Sequence, residues 1–239
     1  MKIAILDDSQ VYAHILKEIL IFKDHNVRIF GKATDLLKDK FLNQYDIIII
    51  DLCLPDQYGL SVIREIKEMN VSAVLIVASV DFSGMVYSKL REIGVRHILK
   101  KPFVFEDLEK IMVSIQKVES LIDDFVNGGT GKKKMLILTD GGNYKILHHL
   151  KHVSADEFIR NADDFNSDET CIIDKTNFSQ FLDNFPEINR IEEAGRAPKL
   201  IILIEDDLKK IGKILSEKEA AQKLILKSAF FIDLKYTMS

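Results

Sequence analysis

Between Met1 and Val126, short apolar runs alternate with amphipathic stretches, and this rhythm constrains the fold more than any other feature of the chain. Ile3–Leu6, Val27–Phe30, Ile47–Leu52, Ala73–Ala78 and His97–Leu99 read as strands. Ser9–Lys23, Thr34–Asn43, two stretches starting near Gly59 and Gly84, and Glu106–Val126 read as helices. Five strands separated by helices imply a parallel sheet covered on both faces, because parallel neighbours need a long crossover connection.

The rhythm is interrupted at Asn127–Gly131, where three glycines in four positions precede Lys132, Lys133 and Lys134. A helix does not continue through such a stretch. With 239 residues the chain is about right for two domains. The expected division is residues 1–126, a Gly/Lys linker at 127–134, and residues 135–239. In the second part Met135–Leu138, Cys171–Ile173, Leu200–Ile204 and Leu224–Leu226 are strand-like, while Phe178–Asn184 and Asp207–Leu215 are helix candidates. That half reads as a shortened copy of the first.

Leu108, Ile111, Met112, Ile115, Val118, Ile122 and Phe125 recur at spacings of three and four, so one helix is expected over 106–126. Two arrangements fit its far end: it joins the domains, or it pairs with a second chain as a short coiled coil, giving a homodimer.

Charge and hydropathy narrow the function classes. No apolar run approaches the roughly 18 residues that span a bilayer, and MKIAIL meets Asp7 and Asp8 before a signal-peptide core can form. A cytoplasmic protein is expected. Residues 1–127 hold 16 basic against 19 acidic side chains and the remainder 17 against 18, so neither half has the basic excess of a nucleic-acid module. Cys53 and Cys171 form no CxxC pair and build neither a disulfide framework nor a thiolate zinc site.

In an open parallel sheet, ligands sit beyond the carboxyl ends of the strands where strand order reverses. The reading above sends Asp7, Asp8, Asp51, Ser79 and Lys101 to those ends. Clustered carboxylates repel one another unless a cation intervenes, and hard oxygen donors suit Mg²⁺. Beside them, a lysine and a hydroxyl can each bind one oxygen of a phosphoryl group moving onto a carboxylate, with Asp51 the natural acceptor. Taken singly, each residue is equally at home as a helix cap, a solvated strand end or a turn residue. In this order and spacing they make one constellation.

Four motifs carry a family resemblance: AILDDS, IIIIDLCLPDQYGL, VASVD and ILKKPF, with 43 residues from Asp8 to Asp51 and 50 from Asp51 to Lys101. The segment from Met1 to about Asp124 resembles the receiver domain of bacterial two-component response regulators, the CheY-like, flavodoxin-like α/β fold. The resemblance implies that Asp7, Asp8, Asp51 and the Cys53 main-chain carbonyl hold Mg²⁺. It further implies that Asp51 takes a phosphoryl group from a histidine kinase or phosphotransfer protein, that Lys101 and Ser79 bind that group, and that the Lys101–Pro102 bond is cis. Such a receiver catalyses only its own phosphoryl transfer and dephosphorylation. The family's switch aromatic falls at Ile98, which leaves the coupling of hydroxyl movement to another side chain.

Aligning LILKSAF on ILKKPF matches Lys227 to Lys101, with Ser228 in place of the proline. Asp174 then parallels Asp51, Thr139–Asp140 the acidic pair, and Glu205 the switch hydroxyl. The second half therefore resembles a degenerate pseudo-receiver, so that the chain is expected to hold two (βα)5 doubly wound parallel sheets in tandem. Its fixed Glu205 charge disfavours phosphorylation, and its output is a contact with a downstream protein. Two rivals stand beside this reading. An aspartyl-phosphate phosphatase would want Asp-x-Asp after strand one, and a DNA-binding second half would want a basic surface.

Overall fold

The computed structural model of the chain describes residues 1–80, 83–127, 135–139, 150–161, 170–176, 178–193, 198–204, 211, 229–233 and 237–238. Two compact units emerge. The first comprises Met1–Gln116 and Asn143–Lys145 with Tyr236–Ser239, the second Lys117–Gly142 and Ile146–Lys235.

In the first unit the chain runs β1 (Lys2–Leu6), α1 (Gln10–Phe22), β2 (Asn26–Phe30), α2 (Ala33–Leu37), β3 (Ile47–Asp51), α3 (Gly59–Glu68), β4 (Val74–Ser79), α4 (Gly84–Glu92), β5 (His97–Lys100) and the start of α5 (Phe105–Val126), whose residues from Lys117 on belong to the second unit. With the C-terminal strand β11 (Thr237–Met238) the sheet order is β11-β5-β4-β3-β1-β2, and every pairing is parallel. Without β11 this is the flavodoxin-like order. Side chains alternate across a strand, so Ala4, Leu6, Ile48 and Ile50 pack with Leu36, Ile63 and Leu90 of α2, α3 and α4. Ile3, Ile5, Ile47 and Ile49 point to the opposite face and are equally buried. Burial on both faces is why the strands carry no polar alternation, and each such side chain contributes roughly 1.5–3 kcal/mol.

Helix α2 stops at Leu37 rather than reaching Asn43, with a 3-10 turn at Leu42–Gln44. Two distant contacts set that length. The Asp56 carboxylate accepts from the Ala33 and Thr34 amides at the helix start. Just beyond the helix, Asp39 is held by both Arg28 and the Tyr45 hydroxyl.

The buried His97 on β5 carries a pH dependence. Burial first, and the neighbouring Arg96 charge second, lower its pKa from 6.5 to about 4. The folded state therefore favours the neutral ring, and this contribution is complete above the ordinary pKa of 6.5. It is lost as pH falls toward 4, by about 3 kcal/mol in all. His97→Leu should flatten that part of a urea-derived stability profile; an unchanged slope between those pH values would contradict the assignment.

The second unit holds β6 (Met135–Thr139), β7 (Lys151–Val153), α6 (Ala155–Arg160), β8 (Thr170–Thr176), α7 (Phe178–Glu193), β9 (Lys199–Ile204) and β10 (Ala229–Asp233). Its sheet is parallel, with order β10-β6-β9-β8-β7. This corrects the expectation of a second flavodoxin-like sheet. A receiver copy would place β8 beside β6, as β3 lies beside β1, whereas here β9 separates them. The expected strand Leu224–Leu226 lies outside the described residues. β10 begins at Ala229, so Lys227 precedes a strand, where Lys101 follows one. Asp140, Glu205, Lys227, Ser228 and linker residues 128–134 lie outside the described residues, as do the side chains of Thr139 and Asp174.

Helix α7 continues through Pro186 to Glu193, well past Asn184. An apolar stripe on both sides of the proline holds it. Phe178, Phe181, Phe185 and Ile188 are buried against Ile173, Leu200 and Ile202, and successive rings pack at 5.8 and 5.5 Å between centroids. The far end of α5 is also covered within this unit. Ile122 and Phe125 are fully buried, and the Lys199 ammonium donates to the Phe125 and Val126 carbonyls at 2.9 Å each, capping the helix. The apolar stripe of α5, Leu108 through Phe125, is thus filled by the chain's own packing.

Candidate functional site

Strand order reverses between β1 and β3, and the crevice beyond their carboxyl ends gathers the charged residues. The main chain fixes each of them. Asp7 follows β1, its amide donating to the Phe30 carbonyl at 3.0 Å. Asp51 ends β3 and Ser79 ends β4, in adjacent registers. The Lys101 amide donates to the Ser79 carbonyl at 2.8 Å, and the Lys101–Pro102 bond is cis, as expected.

Asp7, Asp51, Ser79 and Lys101 are buried, whereas Asp8 is exposed at the mouth. Lys101 Nζ lies 2.6 Å from Asp7 Oδ2 and 2.6 Å from Asp51 Oδ2, donating to both carboxylates. Burial acts to lower the pKa of this ammonium, but the hydrogen bonds and charges of Asp51 and Asp7 outweigh burial and raise it above its ordinary value. The remaining carboxylate oxygens are also engaged: Asp7 Oδ1 accepts from the Ser9 amide at 2.9 Å and Asp51 Oδ1 from the Cys53 amide at 3.1 Å.

One oxygen from each of Asp7, Asp8 and Asp51 falls within a 4.8 Å cluster. Hard oxygen donors at this closeness fit a small divalent cation, and the buried lysine neutralises only part of their charge. Gly59 secures the loop after Asp51. Its amide donates to the Leu52 carbonyl, and a Cβ at this position would meet the Asp51 carbonyl oxygen at 2.5 Å, so only glycine lets α3 start this close to the acceptor strand.

This geometry coincides with a family match: the model of the response regulator receiver domain fits residues 3–113. Those residues form a receiver domain. Its relatives include the DNA-binding transcriptional regulator NtrC of Azospirillum brasilense, 31% identical over 110 residues, which cover 46% of this chain and 23% of that protein. The response regulator ArlR of Staphylococcus aureus is 28% identical over 195 residues, covering 72% of this chain and 85% of the relative. The chain thus spans under a quarter of the NtrC relative and most of ArlR. Among solved structures, a CheY-like receiver domain protein of Methanospirillum hungatei is 22% identical, with 50% of this chain and 96% of that one covered at a TM-score of 0.45.

The receiver domain brings together the residues expected from the sequence: Asp7, Asp8 and Asp51 in one cluster, Lys101 bridging two of them, and Ser79 on the same rim. Ile98 is fully buried in the core beneath. One neighbour of Lys101 lies outside the motifs read from the sequence. Tyr12 lies on α1 with its ring centroid 4.8 Å from Lys101 Nζ, and Phe103 packs on that ring at 5.8 Å. The signal for Tyr12 is its spacing. It follows Asp8 by four residues and sits in the first turn of α1.

Proposed function

We propose that this protein is a two-component response regulator that accepts a phosphoryl group on Asp51 from a histidine kinase or phosphotransfer protein. The observation that carries the reading is the Lys101 ammonium shared by Asp7 and Asp51, with Asp8 beside them at the open side. A carboxylate oxygen of Asp51 attacks phosphorus, the bond from phosphorus to the donor nitrogen breaks, and an acyl phosphate forms on Asp51. Lys101, already at Asp51 Oδ2, meets the charge of the incoming oxygens, and Ser79 is the hydroxyl on that rim for another of them. Asp7, Asp8, Asp51 and the Cys53 main-chain carbonyl would hold Mg²⁺, which supplies charge neutralisation for the phosphoryl oxygens.

The chain acts on no substrate but its own phosphoryl group. It works in the cytoplasm; no helix among the described residues is long and apolar enough to cross a membrane. The second unit carries the output through protein contacts, in keeping with the even charge balance of the second half. Incubation with phosphoramidate and Mg²⁺ tests the reading. Phosphate should enter the protein at one per chain and only while Mg²⁺ is present. Labelling undiminished in excess EDTA would contradict the proposed role of the carboxylate cluster.

A further inference from the structure

We infer that Tyr12 is a positioning residue for phosphoryl transfer, acting through Lys101. The inference rests on the reading of Asp51 as phosphoacceptor and adds a residue that none of the four motifs contains. Among the described residues, Lys101 Nζ meets Asp7 Oδ2 and Asp51 Oδ2 at 2.6 Å each and the ring of Tyr12 with its centroid at 4.8 Å. At that distance an ammonium is held by the ring's quadrupole, and the attraction grows where water is excluded. Lys101 is almost fully buried, so the interaction belongs to the stronger class.

The three neighbours differ in what the reaction does to them. Asp51 becomes an acyl phosphate, and Asp7 changes partner when a divalent cation enters the cluster. Tyr12 alone keeps the same charge and bonding throughout. A lysine stem has four rotatable bonds, and an ammonium released by both carboxylates would otherwise be free to swing toward water.

Tyr12 is itself well held. Its amide donates to Ser9 Oγ, the N-cap of α1, at 3.5 Å. Its ring packs on Phe103, two residues beyond Lys101, at 5.8 Å and tilted 58°. The ring therefore ties the helix that follows the acidic pair to the loop that carries the lysine, and keeps the ammonium at the acceptor while its anionic partners exchange.

The test uses the full chain with ¹³C-labelled lysine. In the wild type and in Tyr12→Phe, which keeps the ring face, the Lys101 ε-methylene protons should resonate upfield through the ring current, and the phosphoramidate labelling rates should agree. Tyr12→Leu should lose the upfield shift and label about fivefold more slowly, with its thermal midpoint close to wild type. Tyr12→Met, flexible and of similar bulk, should behave as Tyr12→Leu does and serves if the leucine variant misfolds. An unmoved Lys101 resonance in the ring-less variants would overturn the contact. A moved resonance with an unchanged labelling rate would overturn its role in the reaction. Absence of labelling in the wild type would instead refute Asp51 as acceptor, with the resonance still deciding whether Tyr12 holds the ammonium.

Discussion

Asp51→Asn should fold like the wild type and take up no phosphate from a small-molecule donor in the presence of Mg²⁺. An amide oxygen is a far weaker nucleophile than a carboxylate, and its product with phosphorus would not be a stable acyl phosphate. The side chain keeps its shape, so Asp51 Oδ1 has a counterpart to accept from the Cys53 amide. What changes is charge. Lys101 would lose one of its two anionic partners and keep Asp7, while the repulsion between Asp7 and Asp51 would disappear. These effects oppose each other, so the stability change should stay within about 2 kcal/mol. Loss of labelling with an intact unfolding transition is therefore the expected result, read by phosphate incorporation and thermal denaturation on the same sample.

Lys101→Met should act on stability as well as chemistry. The ammonium compensates two buried carboxylates, and removing one partner of a buried ionic group leaves uncompensated charge, at a cost of about 3 kcal/mol. Methionine fills the aliphatic volume, which confines the loss to electrostatics. Added Mg²⁺ should restore much of the stability, because a cation in the carboxylate cluster supplies the missing charge and binds only the folded chain. The variant's thermal midpoint should therefore climb with Mg²⁺ more steeply than the wild type's, while phosphoramidate labelling stays slow for want of the ammonium at Asp51. A variant as stable as wild type without Mg²⁺ would show that Lys101 does not compensate the pair.

The receiver half was legible because its signals are local. Fully apolar runs such as Ile47–Ile50 mark strands buried on both faces, and the acidic, hydroxyl and lysine positions fall directly at strand ends. What the sequence hid is set by contacts between distant segments. The Asp56 carboxylate caps α2 from another loop, and Asp39 is anchored beyond the helix end, so α2 is shorter than its composition suggests. The lateral order of strands in the second sheet has no signature in periodicity. AFFID reads as apolar, but nothing in its periodicity says that it pairs with β6. Matching Lys227 to Lys101 followed from local similarity alone, and the strand order then separated the elements that such a match required to be neighbours. The apolar spacing on α5 showed that a stripe would be buried without showing that Lys199 would cap the helix end by donating to the Phe125 and Val126 carbonyls.

The most direct measurement of the central claim is borohydride trapping of the phosphorylated chain followed by peptide sequencing. Borohydride reduces an acyl phosphate to the alcohol, turning a phosphorylated aspartate into homoserine. Homoserine at position 51, dependent on both phosphodonor and Mg²⁺ and absent from Asp51→Asn, is the predicted result. Homoserine at another aspartate with none at position 51, or an unmodified chain after treatment that phosphorylates a control receiver, would contradict it.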